Sequence, residues 1–443
     1  MESILEELIA DFHERSLPTF TRRHIKLPWL PNKIDTVIGM RGSGKTWFVF
    51  QVISDLLSRE TPKEAILYLN LEDERLLPMT VSDLGRITDI YYRRYPQLRD
   101  RSCALFFDEI QNIPGWEQFI RRLLDTENVH ICLTGSSAKL LSHEIATSLR
   151  GRSIATEIFP FSYLEALEHA GIDTGAGIRP GAKKRALLEN RLLAYLLEGG
   201  FPEVQNIDAE YRVRILQDYL NVVILRDVVE RYQISNIIPL RYMIRHLLNA
   251  AAGLFSVNKF YNDLKSQGIR CGKNTLHQYL DYLSDAYLFF QVHVHTHSER
   301  ARMVNPRKIY AIDPGLVKAC SRSIRSDWGH LLENFVFLEL RRSTNMIEYY
   351  ITKKGREVDF LVTDRTGQRS LIQVSSDMIG HETRKRELRA LLEAMKECDL
   401  KQGTIVTLNK EETIETEAGH IQILPASLWA LQHACKRRDH QSD

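Results

Sequence analysis

Apolar positions follow one pattern in the first third of the chain and others beyond it. In the first third, short, mainly apolar runs cover residues 34–38, 65–71, 103–107, 130–133 and 154–160. Runs of that length and composition predict five buried strands. Between them lie helical spacings, the first from Trp47 through Ile53 to Leu56 and Leu57. Residues 17–33 carry Pro18, Pro28 and Pro31 and are expected to be extended, with Arg22, Arg23 and His24 forming a solvated basic turn. From Phe161 to about Tyr232 the apolar period is helical. Leu188, Leu192 and Leu196 mark one face there, and Leu216, Tyr219 and Val223 another. Residues 240–312 mix helices at 247–254, 257–264 and 275–283 with strands at 286–295 and 307–311. Farther on, a helix at 328–340 precedes strands at 358–362 and 371–375. No internal repeat or low-complexity tract interrupts this order.

Composition refines the picture only in places. A 443-residue chain with 44% hydrophobic and 26% charged residues is an ordinary globular protein of about two to four domains. Its net charge of +2 gives no global attraction to nucleic acid, so any such case must be local. Six scattered cysteines without a Cys-x-x-Cys pair predict reduced thiols, a cytoplasmic setting and no zinc module. The acidic, amphipathic first residues are unlike a secretory leader, and no apolar run is long enough for a membrane span.

Candidate chemistry concentrates where strands end. The 34–38 strand runs into Gly39-Met40-Arg41-Gly42-Ser43-Gly44-Lys45-Thr46, which fits the phosphate-binding loop and is followed by a helix. Backbone N–H groups at a helix start attract phosphate. Lys45 would reach the β- and γ-oxygens of ATP, and the Thr46 hydroxyl would ligate Mg²⁺. The strand at 103–107 delivers Asp108 and Glu109. The first suits a magnesium ion held through its water shell, and the second an attacking water. Thr134, with Ser136 next, ends the following strand and could sense a γ-phosphate; a plain turn competes with that reading. Arg150 and Arg152 suit either an arginine reaching a neighbouring subunit's nucleotide or a surface salt bridge.

These residues, with the runs 108–117, 133–137, 149–152, 197–203 and 225–232, resemble a group of bacterial and archaeal AAA+ ATPases. The resemblance covers most of the chain and implies a five-stranded P-loop core with the Thr134 strand between the phosphate-loop and acidic strands. The expected fold is α/β: a parallel-sheet ATPase core at 1–165, a helical lid at 166–238, a winged helix at 239–312 and a restriction-endonuclease-like α/β domain at 313–435. A basic polar tail occupies 436–443.

The wing would present Arg300, Arg302, Arg307 and Lys308 as a phosphate-binding edge, with His293, His295 and His297 on a wet strand face. The last domain places Glu333 on a helix, Glu357 and Asp359 on one strand, and Gln373-Val374-Ser375 on the next. Relatives tend to show Glu-Val-Lys at that last place, so Gln373 and Ser375 remove a magnesium ligand and the lysine of a nuclease centre. Lys353 or Lys354 could supply a replacement lysine. The resulting expectation is an ATPase using ATP and Mg²⁺ to drive a conformational or assembly switch. Its expected partners are DNA through the winged helix, a protein partner, or a homo-oligomer. The alternatives are an ATP-regulated, magnesium-dependent nuclease and a nucleotide-bound scaffold.

Overall fold

The computed structural model describes residues 1–135, 149–175, 180–321, 327–378 and 380–439. It divides into two compact units, Met1–Phe159 and Pro160–Asp443.

The first unit is built on five parallel strands: β1 (Ile34–Ile38), β2 (Ile66–Asn70), β3 (Cys103–Asp108), β4 (Val129–Thr134) and β5 (Ser153–Glu157). Their order is β2-β3-β4-β1-β5. Every residue of β1 and β3 is buried, because helices cover both faces of a parallel sheet and leave no polar side. Register aligns the strand ends: Val37 lies opposite Thr134, Phe107 opposite Leu133, and Asn70 opposite Asp108. The ends of β1, β3 and β4 therefore reach the same edge. The last strand is shorter than the apolar run 154–160 predicts; it stops at Glu157, ahead of Pro160, which cannot donate to a ladder. The opening helix Glu2–Glu14 buries Leu5, Ile9 and Phe12. Phe12 joins Val37, Phe48, Ile53 and Phe106 in the core of this unit.

The second unit opens with the helices Tyr163–His169, Ala182–Glu198 and Ala209–Val222, the last continuing as a π-helical stretch Val223–Glu230. The helix Ile237–Asn249 precedes an antiparallel sheet of β6 (Leu254–Phe255), β7 (Phe289–Val292) and β8 (Arg307–Ala311), in the order β6-β8-β7. Helices Val257–Ser266 and Lys273–Asp285 lie between β6 and β7 in the chain. Two expectations need correction here. The helix expected at 247–254 ends at Asn249, because the Ala252 amide bonds the Ile309 carbonyl (2.7 Å) and draws the chain onto β8. The strand expected at 286–295 keeps only Phe289–Val292. His295 N–H and His293 C=O bond Tyr349 instead, at 2.7 and 3.0 Å, and a capped helix Glu299–Val304 follows.

A six-stranded mixed sheet completes this unit: β9 (Ile347–Ile351), β10 (Glu357–Thr363), β11 (Arg369–Ser375), β12 (Gln402–Thr407), β13 (Glu412–Thr416) and β14 (Gly419–Pro425), in the order β13-β14-β12-β11-β10-β9. Strands β11, β12 and β14 are parallel and the remaining pairs antiparallel. Helix His381–Glu397 packs Leu391, Ala394 and Met395 into the core beside Val358, Leu371 and Ile405.

The Glu198-Gly199-Gly200-Phe201 turn interlocks with Asp313-Pro314-Gly315. The Asp313 carboxylate accepts from Gly200 N–H (2.6 Å) and Leu316 N–H (2.9 Å). A Cβ on Gly315 would lie 2.2 Å from the Glu198 carbonyl. Among the described residues, no helix is long and apolar enough to cross a membrane.

Candidate functional site

The phosphate-binding loop joins β1 to the helix Lys45–Leu57. Gly42 and Gly44 adopt φ of 80° and 94°, a region that side-chain-bearing residues rarely enter. At Gly39 space decides as well, since a Cβ there would sit 2.2 Å from the Ile158 carbonyl. Met40 and Ser43 are fully buried, while Arg41 turns outward to Glu72 at 3.3 Å. Lys45 is only 6% exposed, and its ammonium donates to the loop carbonyls of Gly39 (3.2 Å) and Met40 (3.4 Å). Among the described residues no carboxylate pairs with it. A buried ammonium held only by carbonyls, at a helix N-terminus, calls for an anion. The buried Ser43 hydroxyl in the same loop has no hydrogen-bond partner among the described residues.

The loop is braced from below by Arg23, a residue expected in a solvated turn. It is 7% exposed, and its guanidinium donates to the carbonyls of Ser43 and Phe159 (3.0 Å to the latter). Gln51 bonds its backbone on both sides, at 2.6 and 3.0 Å. Those main-chain acceptors replace water, which a sequence pattern cannot show. Arg22 does stay at the surface, paired with Asp55.

Asp108 is 2% exposed and accepts three hydroxyls: Thr46 Oγ1 (2.8 Å), Tyr68 OH (2.9 Å) and Thr134 Oγ1. Burial raises the Asp108 carboxyl above the usual range, and the Thr134 hydroxyl bond opposes that rise. Thr46 and Asp108 present two hard oxygen donors side by side, a set that suits Mg²⁺. Glu109 leaves the strand with φ 55°, a left-handed conformation uncommon away from glycine. Its N–H donates to Thr134 Oγ1 at 3.0 Å, and its carboxylate accepts from the Gln111 amide. One hydroxyl, that of Thr134, thus links both acids. Tyr68 is the residue of this group that sequence reasoning missed; as one apolar position in a buried strand it carried no polar signal.

Arg150 is exposed, with φ 52°, whereas Arg152 pairs with Asp125. Ser136 lies outside the described residues, as does the end of the basic tail.

A second group of polar side chains forms inside the Pro160–Asp443 unit. Glu333, Glu357 and Asp359 do come together, around a residue expected elsewhere. Lys308, read as part of a phosphate-binding edge, is 3% exposed. Its Nζ lies 2.9 Å from Glu333, 2.8 Å from Glu357 and 2.7 Å from Asp359. The neighbouring basic side chains are also engaged, since Arg307 donates to Gln291 and Arg302 lies 3.6 Å from Glu348. Nor is the histidine run a wet strand face: His295 Nδ1 meets Glu348 at 2.7 Å.

Neither Lys353 nor Lys354 reaches the carboxylates. Lys354 pairs with Glu393, and the Lys353 amide bonds Glu397. Gln373 accepts from Asp359 N–H (3.2 Å) and donates to Glu387 (2.6 Å), while Ser375 donates to the Asp377 carbonyl (3.0 Å). A divalent cation needs the carboxylate oxygens that the ammonium already holds, so these residues do not fit a resident Mg²⁺. Sequence spacing missed Lys308 because it comes from another sheet, 51 residues before Asp359.

Residues 31–167 match the family model of an AAA domain, and residues 189–326 and 328–429 match two domains of unknown function, DUF8612 and DUF4143. The uncharacterized protein MJ1544 of Methanocaldococcus jannaschii is 36% identical over 447 residues, covering 97% of this chain and 96% of that one. An uncharacterized protein of Haemophilus influenzae is 28% identical over 329 residues, covering 74% of this chain and 79% of that one. Among solved structures, the Aeropyrum pernix ORC1 protein in complex with DNA aligns at 16% identity and a TM-score of 0.29, covering 72% of this chain and 90% of that one. The ORC2 protein of the same organism, in ADPNP-ADP complexes, aligns at 11% identity and 0.36, covering 72% and 92%. Likeness that low carries no functional weight. The extent and level of the first match show the family: this chain belongs to the family of MJ1544, with an AAA domain over residues 31–167.

Proposed function

We propose that the first unit binds ATP with Mg²⁺ and hydrolyses it to ADP and phosphate, driving a conformational or assembly change. The observation that carries this reading is the Lys45 ammonium, buried at a helix start with no ion-pair partner among the described residues, next in sequence to Thr46, which is paired with Asp108. Loop N–H groups and Lys45 would take the phosphates. Thr46 and Asp108 would hold the magnesium ion, which supplies charge neutralisation at the transferring phosphoryl group. Glu109, turned out of β3 and steadied by Gln111, is placed to orient and deprotonate water. Thr134 acts as a positioning residue that fixes Asp108 and Glu109 relative to each other. Arg150, exposed in the turn ahead of β5, suits the role of an arginine offered to a neighbouring subunit better than Arg152, which is spent on Asp125.

The second unit is proposed to act on a partner. Its order of helix, strand, two helices, strand, short helix and strand over 237–311 supports a winged helix, and the mixed sheet with the helix Trp328–Arg341 supports a nuclease-like domain that does not cut. With Lys308 and Arg307 turned inward, the wing keeps a weak phosphate edge. Met303 and Val304 stand 71% exposed at its tip, which favours a protein partner over DNA. ATP turnover with and without duplex DNA, beside Lys45→Ala as the binding control, tests the proposal. Turnover lost in Lys45→Ala supports it, and turnover unchanged by that substitution sinks it.

A further inference from the structure

Three carboxylates meeting at one buried point cost several kcal/mol per ion unless a cation joins them. We infer that Lys308 is the resident cation of the nuclease-like centre: its ammonium replaces a divalent metal and converts a cleavage site into a socket that pins β8 to β10. The Lys308 ammonium donates hydrogen bonds to Glu333 (2.9 Å) and Asp359 (2.7 Å) and forms an ion pair with Glu357 at 2.8 Å. Tyr310, two residues along and on the same face of β8, adds a hydroxyl to Glu333 at 2.7 Å. The second oxygen of Asp359 accepts Val374 N–H at 2.8 Å. Gln373 is consumed by Asp359 N–H and Glu387. A lysine serving catalysis would stand beside a metal and face a phosphate; this one sits where the metal would be. The inference is independent of the ATPase reading, since it concerns the other unit.

The test uses full-length, nucleotide-free protein titrated with Mn²⁺ by calorimetry and electron paramagnetic resonance. The variants are Lys308→Met, Asp359→Ala and their combination. Wild type is expected to show no Mn²⁺ site that Asp359→Ala removes. Lys308→Met should gain one, at least about tenfold tighter than any wild-type binding there, and the added Asp359→Ala should abolish it. Lys308→Met should also melt lower and recover when Glu333→Gln and Asp359→Asn are added, because the unpaired charges are then gone. If Lys308→Met does not fold, folding of that triple variant supports the socket and its failure overturns it. A wild-type Mn²⁺ site dependent on Asp359 overturns it, as does a Lys308→Met protein of unchanged stability that takes no metal.

Discussion

At the scale of single residues, one threonine hydroxyl carries much of the geometry. Thr134 Oγ1 donates to Asp108 and accepts from Glu109 N–H, so it ties the proposed metal ligand to the proposed base. Thr134→Val keeps the shape and removes both bonds. Losing a hydrogen bond to a charged group costs about 1.5–3 kcal/mol, which corresponds to roughly ten- to a hundredfold in turnover. Steady-state hydrolysis should fall by that much with ATP binding nearly intact; unchanged turnover would remove Thr134 from the site. Asp35 is a different case. It is 2% exposed in β1, one carboxylate oxygen has no hydrogen-bond partner among the described residues, and burial pushes its carboxyl up to about 7, against a bond from Trp29 that lowers it. A carboxyl raised in the folded state keeps its proton longer there than in the unfolded chain. Its contribution to stability is therefore present at acid pH and lost as pH rises toward 7. Asp35→Asn should be more stable than wild type at about pH 8 and close to it near pH 4, by urea unfolding. Equal stabilities at both pH values would count against it.

At the scale of elements, mainly apolar runs announced the parallel strands because burial on both faces favours that composition. Glycine, lysine and threonine announced the loop because only those residues make that turn and its charge. What stayed hidden was anything fixed by tertiary contact. Arg23 reads as a polar turn residue until the carbonyls of Ser43 and Phe159 are seen around it. Lys308 follows Arg307 and reads as part of a basic, outward-facing strand end, yet it faces Asp359 and Glu357 of another sheet. The strand expected through His295 fails for the same reason, its backbone being claimed by Tyr349. The Gly-Gly turn at 199–200 was legible as a motif, but its purpose shows only against Asp313 and Gly315. Gly315→Ala would press a methyl carbon to within 2.2 Å of the Glu198 carbonyl. That overlap should lower the stability of the second unit by about 1–3 kcal/mol in thermal unfolding. A variant that melts with wild type would show that the interlock has slack.

At the scale of the whole molecule, the proposed switch turns on whether subunits share a site. If Arg150 serves a neighbour's γ-phosphate, Arg150→Ala should lose roughly a thousandfold in turnover, while Arg152→Ala, a surface pair with Asp125, should lose little. Mixing Lys45→Ala protein with Arg150→Ala protein should restore hydrolysis, because each supplies what the other lacks. Two inactive proteins that stay inactive when mixed would speak for self-contained sites.

The proposed switch rests on hydrolysis at the strand ends of the first unit. The most direct measurement is a pair of assays on Glu109→Gln, equilibrium ATP binding and single-turnover hydrolysis, beside wild type. The account predicts binding within a few-fold of wild type and a chemical step slower by about a hundredfold or more, since general-base catalysis contributes 10²–10⁴-fold. Wild-type hydrolysis by Glu109→Gln would contradict it.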